Sequence, residues 1–312
     1  MKRVEEIKAL INDILAPQEG LSFCEEEGVL WGKDTNGHIT FAFQTNNTNV
    51  LPQTQSTKYI KLAINNLFLV TTQGYSDERN LSALTLVSDD EAHIDLFIRL
   101  TLAFCRDLDE AKLMSFFIGL KELFSKTGGQ SQIQLQGIYG ELLFMKYFYD
   151  THSVDVSQYY QSEQKRKFDF SVTEKKKIEV KTTIRQERVH HFLQQQLDID
   201  RYDIRVVSIM LQRDDKGLSL FELLGMCRES FSHNLNLLIE LEKITKGASR
   251  DDLDNMRFNY EYCISNMKLF DAVRIPRIKE KNKDGIFNVE YDCDLTNLSG
   301  ITEDEAISWI QS

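Results

Sequence analysis

The sequence predicts a mixed α+β or α/β protein whose central part is a helix, a β-hairpin, a second helix and a strand on a mixed sheet. Apolar and polar side chains alternate at 168–173, and they alternate again at 178–183 after the charged turn at 174–177. A two-residue period is typical of half-buried strands, so these segments form the hairpin. The apolar run at 204–211 supplies the next strand, and 136–149 supplies the preceding helix.

The predicted hairpin brings two acids and a lysine together. Side chains at i and i+2 of a strand point to the same face, so Glu179 and Lys181 project together. Asp169 lies on the partner strand and can face them. Two carboxylates beside an ammonium group can hold a divalent cation next to a phosphate, because Mg²⁺ prefers oxygen ligands.

This arrangement resembles the PD-(D/E)XK nuclease superfamily, the fold of restriction endonucleases. Asp169 matches the Asp of the motif, and Glu179-Val180-Lys181 matches its Glu-x-Lys part. Phe168 stands where the motif has Pro. The resemblance covers residues 130–225. The segment after Lys181 is similar to that of a bacterial branch of the superfamily, whose members lie in gene clusters for restriction and phage defence.

The resemblance implies Mg²⁺- or Mn²⁺-dependent hydrolysis of DNA phosphodiester bonds. Asp169 and Glu179 would bind the metal, with the carbonyl of Val180 as a third oxygen ligand. Glu141 fits the additional Glu on the preceding helix and would hold a second metal or its water. Lys181 would stabilise the transition-state phosphate or orient the attacking water.

The segment that follows Lys181 supplies the candidate DNA contacts Thr183, Arg185, His190 and Gln196. For His190 the alternative is a surface histidine at a helix start. For Gln196 the alternative is an exposed helix residue.

The distribution of charge favours a local site for a polyanion. The net charge of −11 argues against indiscriminate binding to nucleic acid. Residues 164–191, however, carry nine lysines and arginines against four acids, a local charge of +5, so the rest of the chain carries −16. A basic patch around the predicted site is what phosphate contacts need, although Lys175 to Lys177 alone also fit a solvated turn.

Length and composition predict two domains in a cytoplasmic protein. With 312 residues, the chain can bury a large core, and we place an N-terminal α+β domain of unknown role at 1–128 and the nuclease-like domain with a C-terminal extension at 129–312. No apolar run is long enough to span a membrane. The five cysteines are scattered singly, as expected for reduced thiols.

Outside the hairpin region, apolar periodicity and capping residues predict further elements. In the N-terminal domain they are a helix at 4–14, strands at 28–32, 38–43, 58–72 and 81–87, and helices that begin at Asp89-Asp90 and at Asp107. Towards the C-terminus they are helices at 219–227 and 234–241, strands at 260–273 and 286–291, and a capped turn at Thr302.

Other functions remain open on the sequence. No phosphate-binding loop and no Gly-x-Ser-x-Gly motif is present, so an ATPase or methyltransferase acting with this protein would be a separate chain. A homodimer is also left open. The alternatives to a defence endonuclease are a catalytically silent nuclease fold that binds DNA or scaffolds a defence complex, and a repair or junction nuclease.

Overall fold

The computed structural model describes residues 2–45, 51–72, 74–108, 110–125, 131–161, 167–278 and 288–312. The chain forms two compact units, residues 1–126 and 127–312. The predicted boundary at 128/129 and two residues of the basic patch, Lys165 and Arg166, lie outside the described residues. No helix among the described residues has the length and apolar character needed to cross a membrane.

The first unit is a sheet that closes on itself, with helices before and after it. Its elements are α1 (Lys2–Asn12), β1 (Leu21–Glu26), β2 (Val29–Asp34), β3 (Ile39–Gln44), β4 (Gln53–Ser56), β5 (Ile60–Thr72), β6 (Tyr75–Leu86), α2 (Glu91–Phe104) and α3 (Glu110–Ser125). The strand order is β1-β2-β3-β6-β5-β4, and a parallel pairing of β1 with β5 closes the sheet. The predicted helices and strands of this region are confirmed, while β1 and β4 were not predicted.

The second unit contains every candidate site residue. Its helices and strands are α4 (Gln132–His152), β7 (Phe170–Ser171), β8 (Lys176–Thr183), β9 (Val189–Leu193), β10 (Asp203–Met210), β11 (Arg213–Ser219), α5 (Leu220–Ser230), α6 (Leu235–Gly247), α7 (Arg250–Asn255), β12 (Arg257–Phe258), α8 (Tyr260–Ser265), β13 (Met267–Asp271), β14 (Glu290–Asp294) and α9 (Glu303–Gln311).

A four-stranded mixed sheet of order β13-β10-β8-β7 forms the centre of this unit. Strands β8 and β10 are parallel, whereas β7 and β13 pair antiparallel to their neighbours. The predicted strands at 178–183 and 204–211 are confirmed as β8 and β10. The predicted strand at 168–173 is reduced to the two residues of β7, which pair with Ile178 and Lys177.

Helix α4 packs against one face of β8. Ser131 caps its N-terminus, where its hydroxyl accepts from the Gln134 N–H and the Gln134 side chain accepts from the Ser131 N–H. Where α4 crosses β8, a Cβ on Gly140 would lie only 2.2 Å from Cγ2 of Thr182. This close approach fixes the position of the next residue, Glu141, relative to the strand.

The connection from β8 to β10 differs from the predicted helix. It consists of β9, which pairs with β14, and a single 3₁₀ turn at Gln194–Leu197. Leu197 is buried in a cluster with Phe168 and Phe192. The turn is therefore held firmly beside the sheet.

One predicted strand is wrong in its first half. Residues 260–273 were predicted as a strand, but they form α8 followed by β13. The Asn259 side chain accepts from the Tyr262 N–H and caps this helix, which is a local signal that the apolar run concealed. The predicted helices at 219–227 and 234–241 are confirmed, and Thr302 caps α9. The start of the strand predicted at 286–291 lies outside the described residues.

Candidate active site

Asp169 lies directly before β7, and its side chain takes the place of a backbone acceptor in the pairing with β8. Its Oδ2 accepts a hydrogen bond of 2.7 Å from the Val180 N–H. The antiparallel register pairs Phe170 with Ile178, and one further step places Asp169 opposite Glu179, as the sequence predicted. In a strand the N–H and C=O of one residue point to the same side, so the Val180 carbonyl also points towards the side of β8 on which Asp169 lies.

Glu179 and Lys181 project from the same face of β8 and are joined by an ion pair. Lys181 Nζ lies 2.9 Å from Glu179 Oε1. The Glu179 side chain is 3% exposed and that of Lys181 is 18% exposed. The ammonium group is therefore the part of the pair that an incoming ligand can reach.

Gln196, on the 3₁₀ turn, touches both members of this pair. Its Nε2 donates to Glu179 Oε1 at 2.5 Å, and its Oε1 accepts from Lys181 Nζ at 3.0 Å. The same amide oxygen accepts from the Leu193 N–H at 3.0 Å. Gln196 was predicted as a candidate DNA contact, and the structure places it instead in a hydrogen-bonded triangle with Glu179 and Lys181.

Glu141 approaches the site from α4. It is buried, and the Tyr160 hydroxyl donates to its Oε2 at 3.0 Å. Tyr160 is held by a β-bridge to Phe170, next to Asp169. Its position beside Glu141 could not be read from the sequence, because residue 160 shows no pattern that links it to α4.

The site brings three acidic residues, Glu141, Asp169 and Glu179, close to one lysine in a buried environment. Burial, followed by the nearby Asp169 charge, raises the pKa of Glu179 above its ordinary value, with a smaller contribution from Glu141. Lys181 acts in the opposite direction but does not cancel these effects. The Oε2 atom of Glu179 is buried and has no hydrogen-bond partner among the described residues.

These features fit a hard cation. An unpartnered buried carboxylate oxygen beside a second carboxylate is the kind of donor that Mg²⁺ or Mn²⁺ uses. Among the described residues, however, no three acidic, histidine or cysteine side chains lie close enough together to hold a metal ion. In this conformation Glu141 therefore does not complete a three-residue group with Asp169 and Glu179.

The other candidate DNA contacts divide by exposure. Arg185 is exposed, four residues after Lys181. Thr183 is buried, and its Oγ1 accepts from the Arg185 N–H. His190 is 3% exposed, so neither Thr183 nor His190 presents its side chain to a phosphate in this conformation.

His190 belongs to a buried network behind Lys181. Its Nε2 lies 2.7 Å from Ser208 Oγ, and Arg188 donates to the Ser208 carbonyl and hydroxyl oxygens at 2.9 Å each. Burial, assisted by the charges of Lys181 and Arg188, lowers the pKa of His190 to about 4, so the ring is neutral. Side chains alternate along β9: those of His190 and Phe192 are buried and that of His191 is exposed. This alternation is the signal that could have predicted the burial of His190.

A family model described as "Putative PD-(D/E)XK family member" (DUF4420) matches residues 26–296. Comparisons with curated proteins and with solved structures give no match. The matched segment spans most of the first unit and nearly all of the second.

Proposed function

Since the chain belongs to this PD-(D/E)XK family, we propose that it is a metal-dependent DNA endonuclease that hydrolyses phosphodiester bonds. The observation that carries the proposal is the group formed by buried Asp169, buried Glu179 and partly exposed Lys181 beside β8. A role in bacterial restriction or phage defence is part of the proposal and rests on the resemblance described above.

The residues of the site would have different roles in the reaction. Asp169, Glu179 and the Val180 carbonyl would hold Mg²⁺ or Mn²⁺, which would lower the pKa of the attacking water and polarise the phosphate. The Val180 N–H keeps the Asp169 carboxylate in place. Lys181, the more exposed partner of Glu179, is placed to bind a phosphate oxygen and to neutralise the charge that develops on it.

The surroundings of the site supply further positive charge for DNA. Lys177 lies on the same face of β8 as Glu179 and Lys181, since these residues are two apart. The Lys177 ammonium donates to Ser171 Oγ and to the Thr173 carbonyl, which are both uncharged. Together with exposed Arg185, Lys177 is suited to hold the DNA backbone near Lys181.

The test compares the wild type with Lys181→Met and with Lys177→Met, a control on the same strand face. Plasmid, branched and single-stranded DNA, methylated and unmethylated, are incubated with Mg²⁺ or Mn²⁺, and DNA affinity is measured on the same preparations. We expect Lys181→Met to cleave about 10²–10³-fold more slowly, the typical cost of losing one transition-state donor. It should bind DNA nearly as well as the wild type, because only one phosphate contact is lost.

Lys177→Met is expected to cut at close to the wild-type rate when DNA is saturating and to need more DNA to reach it. Equal loss of cleavage in both lysine variants would contradict the special role of Lys181. Preference for branched over plasmid DNA would favour a junction nuclease over a restriction-type enzyme.

A second candidate function is a silent nuclease fold that binds DNA or scaffolds a complex. It is favoured by the state of Glu179, whose Oε1 is already held by Lys181 and Gln196. This candidate prevails if the wild type binds DNA but neither binds Mn²⁺ nor cleaves any of these substrates.

A further inference from the structure

Gln196 lies at the point where the candidate site meets the β8–β10 connection. Its amide contacts one acid, one ammonium group and one backbone N–H, at 2.5, 3.0 and 3.0 Å.

The orientation of this amide follows from its neighbours. The Leu193 N–H and the Lys181 ammonium are donors only, so the atom that faces them is the amide oxygen. The NH₂ group must then face Glu179 Oε1, which accepts. The three contacts agree on one orientation.

The turn that carries Gln196 is itself anchored. The Gln194 N–H donates to the Val289 carbonyl at 2.8 Å, and Leu197 is buried next to Phe192. The amide is therefore presented to the site from a fixed backbone rather than from a freely rotating surface side chain.

We propose that Gln196 is a positioning residue that fixes the Glu179 carboxylate and the Lys181 ammonium relative to one another, rather than a DNA contact. Gln196 and Lys181 occupy Oε1 of Glu179, which leaves Oε2 as the oxygen without a partner among the described residues. The amide thus decides which carboxylate oxygen stays available for a cation. This inference rests on the proposed function, because it assigns Glu179 to the metal.

Two substitutions separate the contacts of Gln196. Gln196→Glu keeps the shape and the acceptor for Lys181 and Leu193, but it turns the donor that faces Glu179 into a second carboxylate oxygen. Gln196→Met keeps the length and removes all three hydrogen bonds. Gln195→Met, on the same turn at an exposed position, is the matched control.

The measurements are Mn²⁺ affinity by calorimetry without DNA, DNA affinity as a function of salt, and kcat and KM for cleavage. Residues that orient metal ligands typically contribute 10–100-fold to metal affinity. We expect Gln196→Met to bind Mn²⁺ about 10-fold or more weakly and to lose kcat, with KM for DNA and the salt dependence unchanged. Gln196→Glu should also lose kcat, because its second carboxylate oxygen repels that of Glu179, but it adds a carboxylate that can bind the metal and should not show the same loss of Mn²⁺ affinity. Gln195→Met should match the wild type in every measurement.

Two outcomes would overturn the inference, and they differ. If Gln196→Met binds Mn²⁺ like the wild type but loses DNA affinity, Gln196 is a DNA contact and the proposed function survives. If the wild type itself binds no Mn²⁺, the metal assignment of Glu179 fails, and both the inference and the proposed function fall with it. Circular dichroism and thermal unfolding of each variant show whether a loss reflects unfolding.

Discussion

At the scale of single residues, the surroundings of the Glu179 carboxyl group disfavour its ionisation and raise its pKa. Its charge lies near those of Asp169 and Glu141 in a dry site. The neutral isostere Glu179→Gln removes part of this repulsion and can still accept at the Oε1 position from Lys181. We therefore expect the metal-free variant to unfold at the same temperature as the wild type or at a higher one.

The same substitution should abolish cleavage and the stabilisation by Mn²⁺. Ligand that binds only the folded state raises the unfolding temperature of the wild type, whereas a variant without the site gains nothing. Thermal scans with and without Mn²⁺ test this directly. A variant that Mn²⁺ still stabilises as much as the wild type would remove Glu179 from the metal site.

The free energy of unfolding should depend on pH in opposite directions through the two adjacent histidines of β9. The pKa of buried His190 is lowered to about 4, whereas histidine in an unfolded chain titrates near 6.5. Between these values the unfolded chain binds a proton that the folded protein does not, so the free energy of unfolding falls as pH falls from 6.5 towards 4. The loss would reach on the order of 2 kcal/mol at pH 4.5.

His191 is exposed, and hydrogen bonds to Asp292 and then Glu290 raise its pKa. Its stabilising contribution is complete below pH 6.5 and is lost as pH rises through the raised pKa. Denaturant unfolding of His190→Gln and His191→Gln between pH 5 and 8 measures both effects. His190→Gln should flatten the acid side of the profile, and His191→Gln should flatten the neutral side; identical profiles for all three proteins would contradict the assignment.

At the scale of elements, the contact between α4 and β8 depends on Gly140. A Cβ there would meet the Thr182 methyl group at 2.2 Å, and rotation of Thr182 would break the hydrogen bond that its Oγ1 accepts from Gln136. Gly140→Ala should therefore lower the free energy of unfolding by about 1–3 kcal/mol, the usual cost of overpacking. It should also reduce cleavage, because the next residue is Glu141.

Gly137 provides the control on the same helix. Nothing lies within 4 Å of a Cβ built there, so Gly137→Ala should stabilise the protein by up to about 1 kcal/mol through helix propensity alone. Urea unfolding of the two variants gives the comparison. If both alanines stabilise the protein, α4 is not in close contact with β8.

The elements that could be predicted are those whose apolar residues recur at a regular spacing in the sequence. Strand β8 was predicted because Ile178 and Val180 alternate with Glu179 and Lys181, and its register with β7 followed from one hairpin. The length of β7 was not predictable, because a side chain, Asp169, takes the ladder position at the Val180 N–H. The role of Gln196 was also hidden, since it depends on the path of a connection that was expected to be a helix.

At the scale of the whole molecule, the candidate chemistry belongs to one unit. Every candidate site residue lies between 141 and 196, inside the unit of residues 127–312. Two hydrophobic clusters of this unit draw their buried residues from 135–310, and they include Phe144, Val207 and Phe270. A segment of this size can bury a stable core by itself.

The segment 127–312, expressed alone, should therefore fold cooperatively and keep the metal site. It begins just before Ser131, so it retains the cap of α4, and it ends with α9, where Trp309 donates to Asp203 at the start of β10. We expect a single unfolding transition whose midpoint Mn²⁺ raises by the same amount as in the full chain. The matched fragment with Glu179→Gln should show the transition without the Mn²⁺ shift. A fragment that unfolds cooperatively but ignores Mn²⁺, while the full chain responds, would mean that residues 1–126 contribute to the metal site, contrary to the assignment of all its donors to the second unit.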